Sequence, residues 1–202
     1  MARLTRLQMS ALPDPVLERC QAVPALIERP QDYLIVAGLA GTAQELTALT
    51  ADSPSVFGLG GAMGAAPMMG LGLALARPDR AVLVVTGDGE LLMNLGALAA
   101  IAVQNPPNLT LICVDNGHYG ETGNQDSHTG LGVALDQIAR GAGFPAVHRI
   151  DQAEDLPEAR RLLAEPGLAF LWLRVTAAPP PRVKRNLVPH IARDRFRAAL
   201  GR

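Results

Sequence analysis

The sequence predicts a doubly wound α/β domain, a mostly parallel sheet with helices on both faces, and three observations carry that expectation. Two apolar runs lack the alternation of a half-exposed strand, Ala81 to Thr86 and Leu109 to Val114, and so read as parallel strands covered on both faces. Each run stops at a turn with polar chemistry, Gly87-Asp88-Gly89 after the first and Asp115-Asn116 after the second, which puts both turns at one carboxyl edge. Helical patterns alternate with strand patterns along the chain. At 202 residues there is material for one ordinary α/β domain with a substantial core. Residues 1–202 are therefore read as a single domain, with 179–202 a C-terminal extension.

Taken in order, Asp14 as N-cap and Pro15 at the first helical position predict a short helix over 15–22. Residues 33–37 read as the first buried strand, and the glycine-containing turn 38–42 leads into a helix over 43–49. Thr42 is a candidate cap for it. Residues 55–61 lead to Gly60-Gly61-Ala62-Met63-Gly64, and 67–76 is a helix rich in Gly and Ala, whose small side chains permit close packing. Helix 90–104, after the strand at 81–86, has polar side chains only at Glu90, Asn94 and Gln104 and is apolar around most of its circumference. Such a helix needs cover on more than one side. The sheet supplies one, and either a neighbouring subunit or a thick single domain supplies the other. Beyond the strand 109–114, the loop 117–130 is long and rich in Gly, Asn, Thr and His, as functional loops at a catalytic edge are. A helix over 133–142, a strand at 147–150, an amphipathic helix over 153–164 and a strand at 168–175 complete the sheet. Pro179-Pro180-Pro181 stiffens the connection to a last helix at 191–200, and no internal repeat is found.

Composition excludes several function classes. A net charge of -1 without Lys/Arg blocks gives no footprint for nucleic acid, and the basic excess near the C-terminus reads as a solvating or docking tail. Cys20 and Cys113 lie far apart with no metal spacing, as expected of reduced thiols in a cytoplasmic protein. The first residues lack an apolar signal core, and the apolar stretches 62–77 and 91–103 are short and interrupted, so no membrane association is expected. A dinucleotide fingerprint fails because Met63 occupies its third small position, and the spacing at 141–146 follows a helix and contains Pro145. There is no Walker Gly-Lys-Ser/Thr, no Gly-x-Ser-x-Gly elbow and no His-Glu-x-x-His pair.

What remains is the pair of turns. Gly87 and Gly89 permit conformations and close approaches that a Cβ would obstruct, and a helix starting at Glu90 directs free N–H groups back at the turn, which favours an anion. Asp88 beside that anion requires a hard cation between them, because an unshielded carboxylate repels a phosphate. Asn116, at the end of the neighbouring strand, offers the second oxygen ligand.

Gly-Asp-Gly followed by Asn116 at this spacing resembles the thiamin-diphosphate-binding motif, and Gly60-Gly61-Ala62-Met63-Gly64 resembles the loop that grips the aminopyrimidine. From about residue 33 onward the chain is similar to the diphosphate-binding domain of 2-oxo-acid decarboxylases, above all to the separate beta subunit of sulfopyruvate and phosphonopyruvate decarboxylases. Residues 87–94 and 115–125 carry that closer match. The resemblance implies thiamin diphosphate and Mg2+ as cofactors, with the metal held by Asp88, Asn116 and the His118 carbonyl. It implies cofactor contacts from Gly41, Thr42, Gly61, Met63, Gly87, Asp88, Gly89, Glu90, Asn116, His118, Tyr119 and Gly120, with Met63 as the wedge that keeps the cofactor bent. Glu90 stands where relatives commonly have a small residue, so its side chain is expected to point away while its N–H still binds. Glu121 and Thr122 lie where relatives approach the reacting carbon, with loop solvation as the alternative; the Tyr119 ring and His128 are further candidates for reaching substrate.

The glutamate that activates the pyrimidine belongs, in the family, to a different domain, for which this chain has no counterpart. The implied partners are thus a pyrimidine-domain alpha subunit, further copies of the chain and a small 2-oxo acid. The implied activity is a carboxy-lyase subunit. A carboligase subunit of the same fold, or a non-catalytic cofactor-binding module, are the alternatives; an oxidoreductase feeding iron–sulfur clusters is disfavoured by the two isolated cysteines.

Overall fold

The computed structural model describes residues 12–185 and 188–201. The expectation made for the N-terminal segment falls on residues outside this range.

Strands β1 (Tyr33–Ala37), β2 (Val56–Gly58), β3 (Ala81–Gly87) and β4 (Leu109–Asp115) come first, and two later strands, β7 (Ala146–Ile150) and β8 (Ala169–Arg174), close the main sheet. Its order is β2-β1-β3-β4-β8-β7, and every pairing is parallel. The apolar runs carry no alternation because both faces are covered. Successive residues of each central strand feed opposite cores: Val82, Val84, Leu109, Leu111 and Phe170 face one, and Leu83, Val85, Ile112, Val114 and Leu171 the other. Each of these side chains contributes about 1.5–3 kcal/mol by leaving water, which makes register in the central strands costly to shift.

The helices divide between the two cores. On one face lie α3 (Ala66–Ala76), α5 (Gly96–Gln104), α6 (Leu135–Ala142) and α8 (Pro189–Ala199), and on the other α1 (Arg19–Leu26), α2 (Ala40–Thr50) and α7 (Leu156–Ala164). The doubly wound expectation is therefore met. The chain leaves β1 toward β2 on one side and returns to β3 on the other, so a crevice opens between β1 and β3 at the carboxyl edge, where ligands of open α/β sheets bind.

Four local expectations need correction. The helix predicted over 90–104 is two helices, α4 (Asp88–Leu92) and α5, because Asn94 leaves the helix to donate its Nδ2 to the Gly64 carbonyl at 2.9 Å. Gly64 has φ +79°, and a Cβ there would lie 2.9 Å from the Asn94 Cβ, so this glycine makes the junction possible. Helix α1 starts four residues later than the Asp14-Pro15 signal predicts; the preceding segment is drawn across the sheet edge, with Leu17 O accepting from Thr176 N at 2.8 Å. Helix α2 begins at Ala40 with Leu39 as its N-cap, which makes Thr42 an interior residue rather than a cap. The loop 117–130 contains a small antiparallel ribbon, β5 (His118–Tyr119) with β6 (Gln125–Asp126).

Among the described residues nothing covers the outward side of α5: Ala99, Ala100 and Val103 are exposed, Val103 to 83%. Met68, Met69 and Leu75 on the adjoining α3 are exposed as well. Among the described residues no helix is long and apolar enough to cross a membrane.

Candidate active site

Gly87 ends β3 in an extended conformation and serves as N-cap of α4, so Asp88 is the first residue of a helix rooted in the central strand. It is buried, and its Oδ2 accepts from the hydroxyls of Ser127 and Thr129, the latter at 3.3 Å. Thr129 Oγ1 also lies 2.8 Å from Ser127 Oγ and 2.8 Å from Asp115 Oδ1. Two hydroxyl protons thus serve four close oxygen contacts around two buried carboxyl groups. Two of the four contacts must lack a proton of their own while both carboxylates are ionised.

Asp115 is fixed from further directions. Trp172 Nε1 donates to its Oδ2 at 2.7 Å, and the Gly117 N–H to its Oδ1 at 2.7 Å. Burial first, and the Asp88 charge second, raise its pKa to about 7 against the pull of these donors. A buried carboxyl pair short of protons is a place where a cation is favourable.

Asn116 follows directly, in a turn that Gly117 makes possible with φ +69°. The Asn116 Oδ1 accepts from His118 N at 3.3 Å, while the His118 ring pairs with Asn116 O through Nδ1 at 2.6 Å and with Asp126 through Nε2 at 3.4 Å. The imidazole is thereby used inside the ribbon. Ser127 N binds the Gly117 carbonyl at 2.8 Å, which returns the ribbon so that Ser127 and Thr129 reach Asp88. A cleft of about 300 Å³ opens beside these residues, lined in part by Asn116, His118, Thr129 and Arg174.

The oxygen donors fit a small hard cation. Among the described residues no group of three or more His, Cys, Asp or Glu side chains is placed to hold a metal, so a transition-metal cage is not what the site offers. One carboxylate and one amide oxygen, completed by a backbone carbonyl and water, would suit Mg2+.

Glu90 behaves differently from expectation. Its side chain does not point away but is buried against the turn between β1 and α2, where Oε2 accepts from Leu39 N and from Thr86 Oγ1, each at 3.0 Å. Oε1 is buried without a hydrogen-bond partner. Gly38 is required here: a Cβ would sit 1.9 Å from Glu90 Oε2. Gly89 answers a similar need, since a Cβ would meet the Tyr119 ring at 2.3 Å, so that ring packs on the start of α4. Gly87 faces Thr42, its Cβ position lying 3.9 Å from Thr42 Oγ1.

Asp88, Glu90, Asn116, Gly41 and Thr42 are therefore gathered around the β1/β3 crevice, together with His118 and Tyr119 of the ribbon. Gly61 and Met63 are exposed on their loop, and a Cβ at Gly61 would meet nothing within 4 Å. Gly120, Glu121 and Thr122 are exposed at the ribbon tip, where Thr122 Oγ1 donates to Gln125 Oε1 at 3.0 Å rather than to any group near Asp88. His128 is exposed while its neighbours Ser127 and Thr129 are buried. Sequence reasoning missed Ser127, Thr129, Trp172 and the buried Arg19. Alternation of the buried Ser127 and Thr129 about an exposed residue was the one available signal, and nothing in the spacing tied Arg19 to the site.

Comparison with known proteins places the chain in a family. Residues 39–172 match the family described as thiamine pyrophosphate enzyme, C-terminal TPP binding domain. The chain is 31% identical to the sulfopyruvate decarboxylase subunit beta of Methanocaldococcus jannaschii over 92% of its own length and 98% of the relative's. It is 36% identical to the phosphonopyruvate decarboxylase of Streptomyces viridochromogenes over 86% of its length but only 43% of that longer protein. The fold is similar to that of a 2-oxoglutarate:ferredoxin oxidoreductase from Magnetococcus marinus, with a TM-score of 0.60 at 18% identity over 81% of this chain and 62% of that one. The chain thus belongs to the thiamine pyrophosphate enzymes, in the group formed by the sulfopyruvate and phosphonopyruvate decarboxylases and their subunits.

Proposed function

We propose that the chain is the diphosphate-binding beta subunit of a Mg2+-dependent 2-oxo-acid decarboxylase that works with a separate pyrimidine-domain subunit. The observation that carries this reading is the buried Asp88–Asp115 pair at the crevice, short of protons and adjoining the Asn116 turn. Asp88, Asn116 and the His118 carbonyl would hold Mg2+. The N–H groups at Gly89 and Glu90, with Gly87, Gly41 and Thr42 beside them, would receive the diphosphate, and Tyr119 and Gly120 would border it. The Gly61 carbonyl and the Met63 N–H would orient the pyrimidine, with the Met63 side chain enforcing the bend. Thiamin diphosphate, when bound, supplies the carbon nucleophile and electron sink for loss of carbon dioxide from a 2-oxo acid. The chain's own residues would bind, orient and exclude water, and Glu121 and Thr122, exposed on the ribbon, would meet the incoming acid.

The partner is supported by two observations. The relative from Streptomyces carries the equivalent of this chain as less than half of its length, whereas the archaeal beta subunit is almost fully spanned. The uncovered apolar side of α3 and α5 offers a surface for another copy or for the second subunit. Free Cys20 and Cys113 accord with a cytoplasmic setting. The reading is tested by combining the chain with candidate pyrimidine-domain subunits and following carbon dioxide release from sulfopyruvate, phosphonopyruvate and pyruvate. Release that requires Mg2+ and thiamin diphosphate is expected; none from any 2-oxo acid, with cofactor bound, would turn the reading toward a carboligase or a non-catalytic module.

A further inference from the structure

We infer that Arg19, a residue outside the stretch 39–172 that the family model matches, is an anion-binding residue of this site and takes a phosphate of the diphosphate, with Glu45 as its counter-charge when the anion is absent. The inference rests on the function proposed above. Arg19 opens α1 and is 7% exposed, yet its side chain makes no hydrogen bond or ion pair among the described residues, and its Nε is buried without a partner. The guanidinium lies directly on the first turn of α2: a Cβ on Gly41 would be 1.8 Å from Arg19 Nη1. That helix has eleven residues and no side-chain cap, so its free N–H groups and the arginine press positive charge into one place. By itself this is repulsive. Both would be satisfied by one anion with several acceptor oxygens.

The protein holds the cation there regardless. The Leu17–Thr176 backbone bond fixes the segment leading into α1, and Pro180 packs over Gly41 from the other side, its Cβ 3.4 Å from the Cβ position of that glycine. Glu45, one turn along α2, and Asp88 lie close enough to favour the charged arginine against the opposing effect of burial, but neither closes an ion pair with it. Glu45 is itself buried, with Oε2 unpartnered. A guanidinium poised between a helix N-terminus and two carboxylates that it does not touch is arranged for an anionic ligand, and its placement beside Asp88 points to the diphosphate as that ligand.

The test uses the partnered complex and calorimetry of three ligands with Mg2+: thiamin diphosphate, inorganic pyrophosphate and thiamin. Arg19→Gln is expected to weaken thiamin diphosphate and pyrophosphate roughly 10- to 100-fold, the loss of charge-assisted hydrogen bonds, while leaving thiamin unchanged. Glu45→Gln, which removes the competing carboxylate without changing shape, should tighten pyrophosphate by about two- to fivefold. A merely structural pair would shift both variants the same way and would affect thiamin as well; that result, or pyrophosphate affinity within about twofold of wild type in Arg19→Gln, overturns the assignment while the proposed function stands. Wild-type complex that binds neither thiamin diphosphate nor pyrophosphate overturns both.

Discussion

The two sides of the crevice are built to different standards. On the side of Asp88 the two aspartates are tied down: Asp115 has Thr129, Trp172 and the Gly117 N–H, and Asp88 has Ser127 and Thr129, with the side chains of all of them buried. On the side of Gly61 and Met63, a loop stands open, with Met63 43% exposed and space around Gly60 and Gly61 where side chains would meet nothing. On the function proposed above, the closed side would take the metal and diphosphate and the open side the pyrimidine, as in half of a shared site. The closed side is held by bonds within the chain, and on the proposed function the open side would be completed by the partner subunit.

Breaking the closed side should have the largest effect. Asp88→Ala removes the one carboxylate ligand assigned to Mg2+, and Mg2+-dependent cofactor affinity in the partnered complex should fall by about 100-fold or more, measured by calorimetry. The circular dichroism of the variant should remain that of the folded domain.

The next effect concerns Asp115. Folding raises its pKa from the ordinary 3.8 to about 7, so between these values the folded chain keeps a proton that the unfolded chain has released. Stability of the metal-free chain should therefore fall as pH rises through that window, by an amount on the order of a few kcal/mol at most. Urea midpoints with a chelator at either end of the window measure it. Asp115→Asn should flatten the slope, and so should saturating Mg2+, which favours the ionised pair.

Ser127→Ala removes the hydroxyl that orients Asp88 and is expected to weaken Mg2+ binding by about tenfold, the usual worth of a group that positions a metal ligand. Breaking the open side should cost least in binding. Met63→Ala should lower turnover several-fold while cofactor affinity changes by about twofold or less, because metal and diphosphate contacts remain; an affinity collapse with normal turnover per bound cofactor would show that Met63 does not act as a wedge.

The same asymmetry explains what could be read from the sequence. Strands β1, β3 and β4 and the Asp88 and Asn116 turns were legible because double-sided burial writes itself as unbroken apolar runs, and because glycine and asparagine mark the turns that follow. The break at Asn94 was not, since it depends on a bond to Gly64 thirty residues away, and the apolar pattern of 90–104 continues past Asn94 and Gly96. Glu90 departs from expectation for a related reason: a carboxylate where relatives have a small residue is expected to point away, and only tertiary structure shows that Gly38 has made room for it. Ser127 and Thr129 come to Asp88 through the fold of a ribbon two residues wide, too short to leave a period in the sequence.

Turnover as a function of the partner subunit tests the half-site account most directly. With the chain held constant in thiamin diphosphate, Mg2+ and a responsive 2-oxo acid, the rate of carbon dioxide release should be at background without the pyrimidine-domain subunit and should rise to saturation as that subunit is titrated in. Robust release by the chain alone, proportional to its concentration and lost in Asp88→Ala, would contradict the account and require the missing acid to lie within these 202 residues.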